Sequence, residues 1–485
     1  MDDNEIIKYV CYSCVQEDFL SDLISKSEVV EVCYYCHRLN AVILIDKLAD
    51  LIESAFERHF SRTSDQPEGI ECSFLADKES DYEWMRRGEP ILQAIEDTAM
   101  INESIAEDIL DILADRHWDM ESGEMGLETE FSIDSYYELI EPDALDYQLD
   151  WQNIENSLKT SSRYFNKKAE VFFEKLFGGL KNKFSESGAP AVVTAGPGYD
   201  IYTFFRARVF HNDADIERAL AHPDVELGPP PYKYARIGRM NAQGISVFYG
   251  AADPETAIAE VRPPVGSKVL VGRFDLLRTV HLVDIQSLRN LLVEGSYFDT
   301  EHMEQLKLAA FLSYLSAKMT MPIMPDDEPT EYLITQMIAD YLSRRPLPGF
   351  DGILFPSVQK KGNRANVVLF NHASKVKPWE LANGVRLETS VYDLDEDGSF
   401  FHYEVVEIHP PKDAHSISKE DETFDNWIEY NKISTKFDGS SPDFRDETLT
   451  LYPTSLCIHH IESISFNTSV YEVGRRRRED TDLPF

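Results

Sequence analysis

The chain has 485 residues, 43% of them hydrophobic and 11% aromatic, and a formal net charge of −39. That length exceeds one ordinary hydrophobic core and predicts several domains, while the acidity disfavours nucleic-acid phosphates as partners over most of the surface. No apolar run approaches the ~18 residues of a membrane span, and the acidic start Met1–Glu5 lacks an apolar signal core, so a cytoplasmic location is expected.

The first feature in chain order is a pair of CxxC motifs, Cys11-x-x-Cys14 and Cys33-x-x-Cys36. Four thiolates in two such knuckles suit a closed, structural tetrahedral zinc site, and segment 1–40 is read as zinc-binding. Helical periodicity follows over Arg38–Phe60, then Glu89–Trp118 with Pro90 near its start, then Tyr147–Phe184 with a break near Ser161 and Ser162. Residues 41–187 therefore read as an all-α domain.

The stretch Ser185–Pro190 has the composition of a linker. Beyond it, strand-like runs at Ile201–Phe210, Ile245–Gly250, Lys268–Phe274, Val280–Ile285, Gly352–Phe355 and Asn366–Phe370 alternate with helical patterns near 302–318 and 329–344. An α+β domain over 198–378 is expected. Residues 379–485 read as a mixed α/β extension. It has exposed acidic segments at Asp393–Asp397 and Ser416–Asp425, a strand pair within Leu449–Ile464 and a solvated basic tail at Arg475–Arg478. Cys457, His459 and His460 are read as core packing, since no second cluster supports a metal there.

The α+β segment holds residues with a shared chemical logic. Arg206 and Arg208 alternate onto one face of an apolar strand, where a guanidinium fork suits a diphosphate. Gly238 and Gly244 flank Arg239 and Asn241 in a turn through which backbone can approach a ligand. Tyr249 ends an apolar strand and is placed to stack on a flat ring. Asp253-Pro254 starts a helix, and Glu260 lies about two turns in among apolar neighbours, where a carboxylate is costly without a role or partner. Each feature alone also fits a structural arginine pair, a surface glutamate or, for Ser357 after Pro356, a turn residue.

Taken in order, they resemble the RES domain, a family that includes bacterial toxins acting on NAD⁺. The likeness runs from Tyr202 to His372 through Phe205-Arg206, Arg239-x-Asn241 with Gly244, Phe248-Tyr249, Ala259-Glu260-Val261, Phe355-Pro356-Ser357 and the Asn366 strand. Met240 departs from the tryptophan of many members, and Gly228–Tyr232 lengthens the approach to the turn. The resemblance implies an ADP-ribosyltransferase-like fold and cleavage of NAD⁺ by a glycohydrolase, phosphorylase or transferase. Glu260, Arg206 and Ser357 are its implied catalytic residues, and Arg239, Asn241, Gly244, Tyr249 and Arg208 its substrate-binding residues. It also implies a toxin or phage-defence role, regulation by the N-terminal regions, and an antitoxin, a trigger protein or a second copy as partners. The helical region is similar to the HEPN-related domains that precede some RES domains. It lacks the Arg-x4–6-His motif of HEPN RNases, and Arg206-x4-His211 meets that spacing on a strand instead. A nucleotide-binding interaction protein without catalysis, and a HEPN-type RNase, are the alternative readings.

Overall fold

The computed structural model describes residues 7–77, 81–120, 125–161, 165–324, 328–344, 349–357, 365–395, 398–410, 443–465, 468–471 and 473. Arg475–Arg478 and Ser416–Asp425 lie outside these residues, as do positions 396 and 397 of the other acidic segment. Among the described residues no helix is long and apolar enough to cross a membrane. The chain forms two compact units, Met1–Ala191 with Ser287–Met319, and Val192–Gln286 with Thr320–Phe485.

The first unit is not all-α. It contains two three-stranded sheets. In one, strands β1 (Tyr9–Cys11), β2 (Val30–Val32) and β3 (Leu39–Leu44) run in the order β1-β3-β2; in the other, β4 (Phe60–Arg62), β5 (Glu89–Pro90) and β6 (Tyr136–Leu139) run β4-β6-β5. The segment read as a helix from Arg38 therefore starts as a strand, and the helix itself is Ile45–His59. The run Leu39–Leu44 has too continuous an apolar character for periodicity to separate strand from helix. Pairing with β1 and β2 decides the matter, because it satisfies the backbone of the cysteine-bearing segments.

The stretch read as one helix from Glu89 is two, Ile91–Ala99 and Glu103–His117. Met100 turns into the left-handed region at φ 50°, and the Asn102 side chain caps the next helix by accepting from Ile105 N at 3.2 Å. These helices bury Ile95, Ile105, Ile109 and Leu113 against Leu48, Ile52 and Phe56 of the Ile45–His59 helix. The Tyr147–Phe184 stretch is two helices, Leu145–Thr160 and Lys167–Phe177, the first ending at Ser161, where the sequence places a break; the second stops at Phe177 rather than Phe184. Ser287–Met319 lies within the span read as the α+β domain yet clusters with this unit. Phe311 of its helix His302–Thr320 packs on Tyr147, Trp151 and Phe172.

His59 and His302 are buried together, ring centroids 5.8 Å apart, with Tyr297 edge-on to both. Both His59 ring nitrogens and His302 Nδ1 lack hydrogen-bond partners among the described residues. Burial, with contributions from His302 and Arg58, brings His59 down to about 4, and burial also lowers His302. The unfolded chain then binds more protons than the folded one between roughly pH 6.5 and 4. Stability is complete above the unfolded value and is lost as pH falls through this window, by at most about 3 kcal/mol for His59. Thermal unfolding of the first unit should show this loss, and His59→Leu should flatten it.

The second unit is built on a nine-stranded mixed sheet. Its strands are β7 (Val192–Ala195), β8 (Thr203–Phe210), β9 (Phe248–Ala251), β10 (Lys268–Leu276), β11 (Val280–Asp284), β12 (Gly352–Pro356), β13 (Ala365–Leu369), β16 (Leu449–Leu451) and β17 (Cys457–His460). The order is β16-β10-β8-β9-β13-β12-β11-β7, with β17 also on β10 and a separate hairpin of β14 (Arg386–Asp395) and β15 (Gly398–Ile408). Among the strand pairs of this sheet in the described residues, β11 and β12 alone run parallel. β16 and β17 each pair with β10 rather than with one another, because two strands laid end to end extend the edge that the long β10 presents. Cys457, His459 and His460 are exposed on β17 rather than packed in the core, and His460 meets the Tyr403 hydroxyl at 2.7 Å.

Candidate active site and metal centre

β8 is eight residues long but pairs with β9 at one position only, Phe205 with Ala251. Past that point the strands part. A cavity of about 230 Å³ opens there, lined by Phe205–Ala207, Tyr249–Ala251, Ala257, Glu260, Val261, Phe355 and Asn366. Arg206 and Glu260, distant in sequence, share it.

Glu260 is the last residue of the helix Pro254–Glu260. That helix starts where the sequence places it: Asp253 Oδ1 accepts from Thr256 N at 2.9 Å, Oδ2 accepts from Thr256 Oγ1 at 2.7 Å, and Pro254 fills the first turn. A carboxylate at a helix C-terminus faces the unfavourable end of the helix dipole. Here one oxygen is held by donors: Ser357 Oγ donates to Glu260 Oε1 at 2.7 Å and Asn366 Nδ2 donates to the same atom at 2.8 Å. Sheet register delivers both donors. Ser357 follows β12, and Asn366 on β13 lies between Phe355 and Ala251. Glu260 is exposed, whereas Ser357 and Asn366 are buried.

Arg206 is half-buried. Its guanidinium carbon lies 5.3 Å from the Phe248 ring centroid, and its enclosed Nη1 has no hydrogen-bond partner among the described residues. Burial, reinforced by the neighbouring charge of Arg208, brings it down to about 10, so it stays a cation at neutral pH. Arg208 does not join it. Its guanidinium is exposed and bonded to the carboxylate and backbone carbonyl of Glu226, outside the cavity lining.

Tyr249 lines the cavity with its ring, while its hydroxyl is spent: it donates to Asn241 Oδ1 at 2.8 Å and accepts from Met240 N at 3.1 Å. Burial pushes its phenol up to about 12. Asn241 is buried and donates to three carbonyls, those of Arg236, Ala242 and Ile245. It and Gly244 shape the loop and are not part of the cavity lining. Gly244 is required by its φ of 86°, and a Cβ on Gly238 would come within 2.7 Å of the Tyr249 hydroxyl. Arg239 is half-buried, donates to Met321 O at 2.8 Å and lies 5.8 Å from the Tyr332 ring, also outside the cavity lining. Asn366 had no role assigned from sequence. Its signal there was its strand's place in the RES-like pattern after Ser357.

In the first unit, the four cysteine sulfurs lie within 4.8 Å of one another. Cys11–Cys14, Cys11–Cys36 and Cys14–Cys33 separations are 3.7, 3.5 and 3.8 Å. A tetrahedral zinc with Zn–S bonds of ~2.3 Å places its sulfurs about 3.8 Å apart, so the set fits that ion. Cys11 and Cys33 are fully buried, and His37, at φ 57°, closes the second knuckle by donating its backbone N–H to Cys33 O at 2.9 Å.

The second unit thus has a mixed sheet in which two parted strands enclose an arginine, a tyrosine and a tethered glutamate. Residues 203–386 match the family model of the RES domain. The match supports a RES domain in this part of the chain, and it runs through Ser287–Met319, which clusters with the first unit. No curated protein and no solved structure matches the chain.

Proposed function

We propose that the RES domain cleaves NAD⁺ at the bond between nicotinamide and ribose. One observation carries this: a glutamate with one oxygen held by two donors shares a cavity with an arginine whose enclosed Nη1 has no partner among the described residues. The C1′–N bond breaks, its electron pair leaves with neutral nicotinamide, and positive charge develops on the ribose, as in glycoside cleavage. Glu260 stabilises that charge through its free oxygen. Arg206 supplies the cation for the diphosphate, with Arg239 on the neighbouring loop as the second contact. The Tyr249 ring orients nicotinamide. Ser357 serves as a donor to Glu260 as well as a neighbour of the ribose. The cavity is smaller than the ~300–1,000 Å³ of drug-sized sites. It suits the reacting half of the dinucleotide, with the remainder on the open surface.

The acceptor is water, phosphate or a protein side chain. Free ADP-ribose, its 1″-phosphate or a labelled protein would identify it. Unrestrained NAD⁺ loss harms the cell that makes the enzyme. We therefore assign it a toxin or phage-defence role, regulated by the N-terminal unit with its zinc-bound cysteines, with an antitoxin or trigger protein as partner.

The first test is incubation of the purified chain with NAD⁺ and detection of nicotinamide; none released, with NAD⁺ binding retained, would favour a non-catalytic nucleotide binder. Arg206→Leu separates substrate binding from fold. Removing a half-buried cation with no carboxylate partner among the described residues relieves a desolvation cost, so the melting temperature should hold or rise. The KM for NAD⁺ should rise at least ~10-fold, the loss of roughly one charge-assisted contact.

A further inference from the structure

We infer that Asn366 is a positioning residue of this site, acting through Glu260; the inference rests on the proposed NAD⁺ cleavage. Asn366 is 3% exposed and lines the cavity. Its side chain has two polar ends, and only the NH₂ end can face a carboxylate. That end donates to Glu260 Oε1 at 2.8 Å. The carbonyl end is then fixed on the other side, where Oδ1 is enclosed and has no partner among the described residues.

A buried acceptor without a donor costs free energy that an apolar residue of similar shape would avoid. Stability therefore does not explain an amide here; its donor does. Ser357 alone would leave Glu260 free to swing about a single hydrogen bond at an exposed helix end. Two donors on one oxygen define a plane and leave Oε2 as the only oxygen available to the developing ribose cation. Asn366 is held on β13 between two neighbouring strands, so the reference point for Glu260 is the sheet rather than a loop.

Two nearly isosteric variants test this. Asn366→Leu should keep or raise the melting temperature and leave KM for NAD⁺ unchanged, while kcat falls about 100-fold, the scale of a misplaced reacting group. Asn366→Asp replaces the donor with a second carboxylate. The pair then retains a proton to higher pH, and the acid limb of the pH–rate profile should move up by about one unit or more. Crystal structures of wild type and Asn366→Leu give a readout independent of activity: the Glu260 carboxylate should leave its wild-type position. Full kcat in Asn366→Leu, or a parallel fall of kcat and stability with an unmoved acid limb, would overturn the role. If wild type releases no nicotinamide, the cleavage reading fails on its own, and an unmoved Glu260 in the variant structure then decides against Asn366 as well.

Discussion

Glu260→Gln should reduce nicotinamide release by roughly 10²–10³-fold, equivalent to about 2.7–4 kcal/mol of transition-state stabilisation. The substitution keeps the side chain's length, and its amide oxygen can still accept from Ser357 and Asn366. What disappears is the negative charge opposite the ribose. Because Glu260 is exposed at a helix end, thermal unfolding should be unaffected. KM should change little, because the charge it meets develops only in the transition state. Expression in bacteria gives the cellular counterpart: wild type should deplete NAD⁺ and slow growth under triggering conditions, and Glu260→Gln should do neither. Equal rates of release from wild type and variant would remove Glu260 from the chemistry, whatever the cavity contains.

Much of this site was legible because its pieces are local. Asp253-Pro254 specifies a helix start by capping chemistry alone, and that fixes Glu260 at the far end of a two-turn helix. The parting of β8 from β9 is not local, and it decides which of two alternating arginines meets the cavity. Arg206 and Arg208 are equivalent by strand period. The structure distinguishes them through Glu226, a carboxylate supplied by the Pro223–Glu226 helix, which pairs with Arg208, while Arg206 Nη1 has no partner among the described residues. The resemblance implies a substrate contact for Asn241, and its side-chain NH₂ donates to three carbonyls of its own loop. Asn366 depends on sheet register, which no spacing along the chain reveals. The all-α reading of the first unit failed for a related reason. Leu39–Leu44 has apolar residues enough for either period, and the partner strands that select the strand each lead into a cysteine knuckle.

That placement leads to the second large effect. The core local to the cysteine knuckles is Cys11, Cys33 and Val42, with Tyr9 and Tyr35 at its margin. Such a core, under a sheet whose two outer strands have three residues each, is too small to hold the knuckles by itself, although Val10, Val15, Leu20 and Ile24 of the same segment join the larger core of the unit. A structural zinc contributes an apparent ~10–16 kcal/mol in small thiolate sites, enough to replace the missing core. The purified chain should therefore carry one zinc ion. Chelation, or the double change Cys11→Ser and Cys33→Ser, should open the segment from Tyr9 to Leu44 to protease, and restored zinc should close it in the wild type alone. Cobalt in place of zinc should show the sulfur-to-metal absorption of a four-thiolate site. Metal-free protein with undiminished protease resistance would reduce the cluster to four packed thiols. The strand β3 would then owe its stability to its continuation into the Ile45–His59 helix, whose buried face of Leu48, Ile52 and Phe56 needs no metal.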